Sequence, residues 1–120
     1  MNPQADLPII QRTYDLIKWY VPLVNKFPRD FKFMLGDRVQ GTLYELLEGL
    51  IRARYRREKL EILETLNAEL DVLRYQTRLC HDFHLFDVRR YEYVSGLMNE
   101  IGESLGGWIR QQKGRLKPVL

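Results

Sequence analysis

Apolar residues recur on threes and fours along nearly the whole chain, and no run alternates as a strand would, so every periodic signal is helical. The clearest stretch is Leu60–Phe83. Leu63, Leu66, Leu70, Leu73, Thr77 and Cys80 make one seam, stepping as a packed heptad stripe does. At roughly 100° per residue, Ala68, Val72, Tyr75 and Leu79 make a second stripe nearly opposite the first. A helix apolar on two sides needs cover on two sides.

The same doubling occurs in the first helix, predicted over about 7–26. Leu7, Ile10, Tyr14, Ile17, Val21 and Val24 give the seam expected to face the core. Ile9, Leu16, Tyr20 and Leu23, joined by Trp19, give a second stripe. Pro8 suits a first turn, whereas Pro22 is expected to kink the helix or loosen its end. A second helix, about 28–56, starts behind Pro28 and carries Phe31, Leu35, Val39, Leu43, Leu46, Leu50 and Ala53. Gly36, Gly41 and Gly49 inside it imply close packing that offsets their poor propensity. The third helix spans about 58–84. Asp87 is a good N-cap for a fourth, about 87–113, with the stripe Tyr91, Val94, Met98, Ile101, Leu105 and Trp108. A basic tail, 110–120, follows, with Gly114 and Pro118 marking its fraying. Four long helices on short connections predict one all-α domain, an antiparallel up-down-up-down four-helix bundle. The surplus stripes (Ile9, Leu16, Trp19, Tyr20, Leu23, Val72, Tyr75, Leu79) predict an oligomer interface.

Charge adds a second theme. Of the 120 residues 29% are charged and 45% hydrophobic, an ordinary globular balance, with a net charge of +3. The cations are 13 Arg and only 6 Lys, and Arg is the side chain suited to bidentate phosphate contacts. Arg52, Arg54, Arg56, Arg57 and Lys59 crowd the junction of the second and third helices. Arg110, Lys113, Arg115 and Lys117 crowd the end of the fourth. Up-down topology puts both groups at one pole, a concentrated basic end for a polyanion. Arg74 and Arg78, one turn apart on the third helix, can reach one anion together; the plain alternative is pairing with Asp71.

Other classes find little support. No apolar run approaches the ~20 residues of a membrane span, and the first residues lack the pattern of a secretory signal. A single cysteine, Cys80, sits in a core seam and fits a reducing cytoplasm. His81 and His84, near Asp82 and Asp87, lack a third ligand at firm spacing, so no metal or other cofactor is expected. No Gly-rich phosphate loop, carboxylate pair or Ser/His/Asp set marks an enzyme or a small-molecule substrate. The segment Arg78–His84 resembles the arginine–histidine pair of HEPN-type ribonucleases, which are helical bundles. That resemblance implies proton transfer by His84 and charge stabilisation by Arg78. The residue after the Arg, Leu79, departs from the polar companion usual there, and this reading is the alternative.

Leu70-Asp71-Val72-Leu73-Arg74-Tyr75-Gln76-Thr77-Arg78-Leu79 resembles the third-helix pattern Leu-x-x-Leu-Arg-aromatic-x-x-Arg of Avd, the accessory variability determinant of diversity-generating retroelements. Ile101–Ile109 is similar to its fourth-helix Leu-Gly-x-Trp-Ile segment. Phe27-Pro28-Arg29 and Leu35–Gln40 resemble the start of helix two across a wider group, which includes four-helix proteins encoded in intervening sequences of bacterial large-subunit rRNA; a bundle of that type, with a structural or unknown role, is a second alternative. The resemblance spans about residues 10–115. It implies a ring- or barrel-shaped homopentamer that acts without catalysis as the partner of a reverse transcriptase and binds template RNA or DNA. Arg74 and Arg78 match the family's paired arginines. The remaining contact residues, Arg52, Arg54, Arg56, Arg57, Lys113 and Arg115, come from charge and topology alone.

Overall fold

The structure, a computed structural model, describes the backbone of residues 3–116 and the side chains of residues 8–116. Four helices, with no strand among the described residues, form a rod of 57 × 22 × 21 Å. They are α1 (Pro3–Val24), α2 (Asp37–Tyr55), α3 (Leu60–Asp82) and α4 (Val88–Leu116). Each packs chiefly on its two neighbours around the bundle: α1 on α2 and α4, and α3 on α2 and α4. With short connections between them, this is the up-down-up-down order. The expectations for Leu7, Lys117 and Pro118 lie outside the described side chains.

Pro22 removes one intrahelical donor, and α1 stops two residues later. Its end tightens into i→i−3 bonds, from Lys26 N–H to Leu23 C=O (3.1 Å) and from Phe27 N–H to Val24 C=O (3.0 Å). α2 is entered through one α-helical turn, Arg29–Phe31, and a π-helical turn, Lys32–Gly36, in which Asp37 N–H bonds Lys32 C=O. The extra residue of a π turn breaks the 3.6 period. Phe31 and Leu35 are therefore only half-buried, whereas Val39, Leu43, Leu46, Leu50 and Ala53 of the same predicted stripe are fully inside. Gly49 answers for its propensity cost: a β-carbon there would collide with Leu66 Cδ2, so its absence lets α2 and α3 close. Asp87 caps α4 as expected, its Oδ1 accepting Arg90 N–H at 2.8 Å.

The core seam of α3 is the predicted one, and its second stripe is open: Val72, Tyr75 and Leu79 are 45%, 62% and 42% exposed. On α1 the two stripes are exchanged. Ile9, Leu16 and Tyr20, expected at an oligomer interface, are buried in the protomer's own core with Val24 and Phe27. Ile10, Ile17 and Val21 lie on the flank and Tyr14 is exposed. The inward stripe contains Thr13, whose hydroxyl is satisfied by Ile9 C=O (2.8 Å), and that polar residue hides the true face from a count of apolar positions. Trp19 is also drawn into the protomer, against Tyr20, Phe86 and Tyr93 at ring distances of 5.6–5.7 Å. Leu23 is half-buried against the same core.

The core holds one polar knot. Thr77 Oγ1 donates to Leu73 C=O (2.8 Å), so the Tyr20 hydroxyl, 2.9 Å away, is left as donor to Thr77. Cys80 Sγ lies 3.7 Å from the same hydroxyl, and burial pushes its thiol up to about 11. Such a thiol is packing, not a nucleophile.

Candidate nucleic-acid surface

At the α2–α3 junction the chain leaves the helix at Arg56, in extended conformation, and re-enters helix at Leu60. Lys59 makes this sharp turn feasible. Its Nζ donates to the carbonyls of Ala53 (2.7 Å), Arg54 (3.0 Å) and Arg56 (2.5 Å), where the α2 dipole is negative. The compact turn lies beside the last turns of α4. Arg57, Glu58, Lys59, Leu60, Gln112, Arg115 and Leu116 line one cleft of about 210 Å³ there. Two distant basic segments thus meet in space, as topology requires.

The other cations of this pole are placed differently. Arg56 borders a neighbouring cleft with Glu58, Glu61 and Glu64, whose carboxylates offset its charge. Arg52 approaches Glu48 at 4.0 Å, an exposed pair worth little. Arg54 is half-buried with its guanidinium over Tyr55 at 5.7 Å, and Lys113 is exposed on the last turns of α4.

Arg74 and Arg78 form a separate place, roughly 20 Å further along α3 at 1.5 Å per residue. With Asp71, Tyr75 and Tyr91 they line an open cleft of about 240 Å³ between α3 and α4. Arg74 is 3.6 Å from Asp71 and Arg78 is 3.9 Å from Asp82, both solvent-washed contacts that a phosphate can displace. Tyr91, placed by its spacing in the α4 core stripe, instead lies half-buried at the cleft wall. It stacks on His81 at 4.6 Å and 3°. His81 Nδ1 donates to Phe86 C=O (3.1 Å), which fixes the ring beneath Tyr91. An aromatic ring that shares a cleft with two guanidinium groups suits a nucleobase beside its phosphate.

The arginine and the histidine of the Arg78–His84 pair line different clefts. Arg78 lines the α3–α4 flank, while His84 lines a different cleft at the far pole. Among the described residues no three His, Cys, Asp or Glu side chains cluster as metal ligands would, and no helix is long and apolar enough to cross a membrane. Spacing missed Tyr91, Gln112 and the capping role of Lys59. A lysine four residues past the helix end was the available signal for the last of these.

The fold and its surface define a small all-α four-helix bundle with clustered cations at one pole and on one flank. A sequence model of the bAvd-like family matches residues 7–112, and the chain belongs to that family. No curated protein matches it.

Proposed function

We propose that this protein is a non-catalytic accessory factor of a diversity-generating retroelement, in which copies of the bundle bind template RNA and a reverse transcriptase through basic surfaces. The observation that carries the reading is the cleft where Arg57 and Arg115 meet, 58 positions apart in sequence and side by side in space. The Arg74–Arg78 flank supplies a second row of phosphate contacts on the same long axis. Membership of the Avd-like family, an accessory family, supports the role.

Assembly is supported by two unlike apolar faces. One is the outer stripe of α3, Val72, Tyr75 and Leu79. The other is the α1–α2 flank, where Tyr14, Tyr44 and Ile51 are exposed beside half-buried Ile10, Ile17 and Leu47. Unlike faces on different sides of a protomer make head-to-tail contacts, which close into a ring when the rotation between copies divides a full turn. A homopentameric ring would repeat the basic cleft around its rim and multiply its grip on one RNA.

Phosphate-dominated binding has a steep salt dependence, with a slope near −0.7 per contact for single strands. RNA affinity is measured from low to raised salt for wild type, Arg57→Ala/Arg115→Ala and Arg74→Ala/Arg78→Ala. Each double variant is expected to lower affinity and flatten the slope by about 1.4. Unchanged affinity in both removes these surfaces from the site. Co-purification with a co-expressed diversity-generating-retroelement reverse transcriptase tests the protein partner.

A further inference from the structure

The pole opposite the Arg57–Arg115 cleft carries two cations and an imidazole that the function above does not use. There the α1–α2 and α3–α4 connections lie together, and a cleft of about 200 Å³ opens between them. Lys26 reaches it from the first connection, His84 from the second and Arg90 from the first turn of α4. Leu23, Phe27, Pro28, Leu85 and Phe86 supply an apolar lining, and no Asp or Glu is among the described residues around it. The nearby carboxylate of Asp87 is engaged in capping α4.

His84 is the telling residue. α3 ends in a Schellman turn: His84 N–H bonds His81 C=O (2.9 Å), and Leu85 N–H reaches back to Cys80 C=O (2.8 Å). Such a turn needs its C′ residue in the left-handed region, where Gly or Asn normally sits. Here it is His84 at φ 61°, the one non-Gly residue with positive φ among those described. Glycine would hold this backbone with less strain. The fold therefore tolerates a costly residue at a position whose side chain lines a cationic cleft, and observed strain of this kind points to a use for the side chain.

We propose that this cleft binds a phosphate monoester, the terminal phosphate of a free nucleotide or of an RNA 5′ end. The His84 imidazole, the Arg90 guanidinium and the Lys26 ammonium are donors drawn from three segments, the set a phosphate dianion accepts. The apolar lining takes the ester's carbon side, which a free inorganic phosphate lacks. The site goes beyond the function proposed above and does not rest on it.

The test is titration of the full chain by calorimetry with adenosine 5′-monophosphate, inorganic phosphate, and one hexaribonucleotide carrying either a 5′-phosphate or a 5′-hydroxyl. Discrimination of about tenfold in favour of the 5′-phosphorylated hexamer assigns the site to RNA ends. Binding of the mononucleotide without such discrimination assigns it to free nucleotides. In either case His84→Gly and Arg90→Gln abolish the preference, and His84→Gly keeps a Tm at or above that of wild type, so misfolding does not explain the loss. Arg74→Ala/Arg78→Ala, by contrast, weakens both hexamers alike and leaves their ratio intact. If neither hexamer binds, the nucleic-acid function fails, and the mononucleotide and its loss in His84→Gly decide this site alone. The proposal is overturned if neither the mononucleotide nor the 5′-phosphate is preferred, or if the preference survives both variants.

Discussion

The guanidinium of Arg74 lies across Gly102, in the volume that a β-carbon on that glycine would occupy. The α4 backbone thus serves as a shelf that holds the arginine at the α3–α4 cleft, with its side chain only 34% exposed. Gly102→Ala keeps every charge but evicts the guanidinium. Because the obstructing atom is the end of a flexible side chain, the cost to the fold is small, and the gain in helix propensity is up to ~1 kcal/mol. The expected result is an unchanged or higher Tm with RNA affinity lowered, though by less than in Arg74→Ala. Anisotropy titration beside a thermal melt checks it, and full affinity in the alanine variant would show that the position of Arg74 is irrelevant to binding.

The outer stripe of α3 makes a separate prediction about assembly. The Leu79 side chain is exposed on the outer face of α3. Leu79→Glu is therefore expected to leave helical circular dichroism intact while light scattering falls from the oligomer mass to that of one chain. A wild-type protein already running as a single chain at micromolar concentration would end the ring reading.

Lys59 and Arg115 share a cleft, yet their substitutions separate stability from binding. Lys59 is committed to three carbonyls at the end of α2, so Lys59→Met uncaps that helix and is expected to cost about 1–2 kcal/mol in urea unfolding. Arg115→Ala is expected to cost little stability and more affinity. Reversed outcomes would assign the lysine, not the arginine, to the ligand.

These placements mark how far the sequence could be read. The α3 and α4 seams were legible because their inward positions are almost all apolar over six or seven steps. On α1 the inward stripe contains Thr13, and the flank of Ile10, Ile17 and Val21 is as greasy as the core, so periodicity chose the wrong face. The meeting of Arg57 with Arg115 followed from topology, which needs only helix count and connection length. Tyr91, the π turn and the left-handed His84 were not legible, because each depends on how a connection bends and not on a repeating pattern.

The Tyr20–Thr77 contact predicts non-additive losses. Tyr20→Phe removes a bond but leaves Thr77 donating to Leu73, so a cost of about 0.5–1.5 kcal/mol is expected. Thr77→Val strands the buried tyrosine hydroxyl beside only the weak acceptor Cys80 Sγ, and about 1–3 kcal/mol is expected. Once Tyr20 is Phe, Thr77→Val strands nothing, so the double variant is expected to be more stable than the sum of the single costs implies. Strict additivity in urea unfolding would mean the two groups do not interact.

Glu69 on α3 gives the pH dependence its sign. Partial burial raises its carboxyl pKa above the ordinary glutamate range, and Glu45 on α2 raises it further. A carboxyl that holds its proton more tightly folded than unfolded favours the fold while protonated. That contribution is complete below the ordinary glutamate pKa and is lost as pH rises through the raised value. Above that value Glu69 is ionised and its charge repels that of Glu45 across the α2–α3 seam. Glu69→Gln removes the repulsion at every pH. The variant and wild type are expected to melt together in acid and to diverge as pH rises, with the variant about 1–2 °C higher at pH 7 for a solvent-washed pair. Parallel melting curves across that range would show that the two carboxylates do not sense one another.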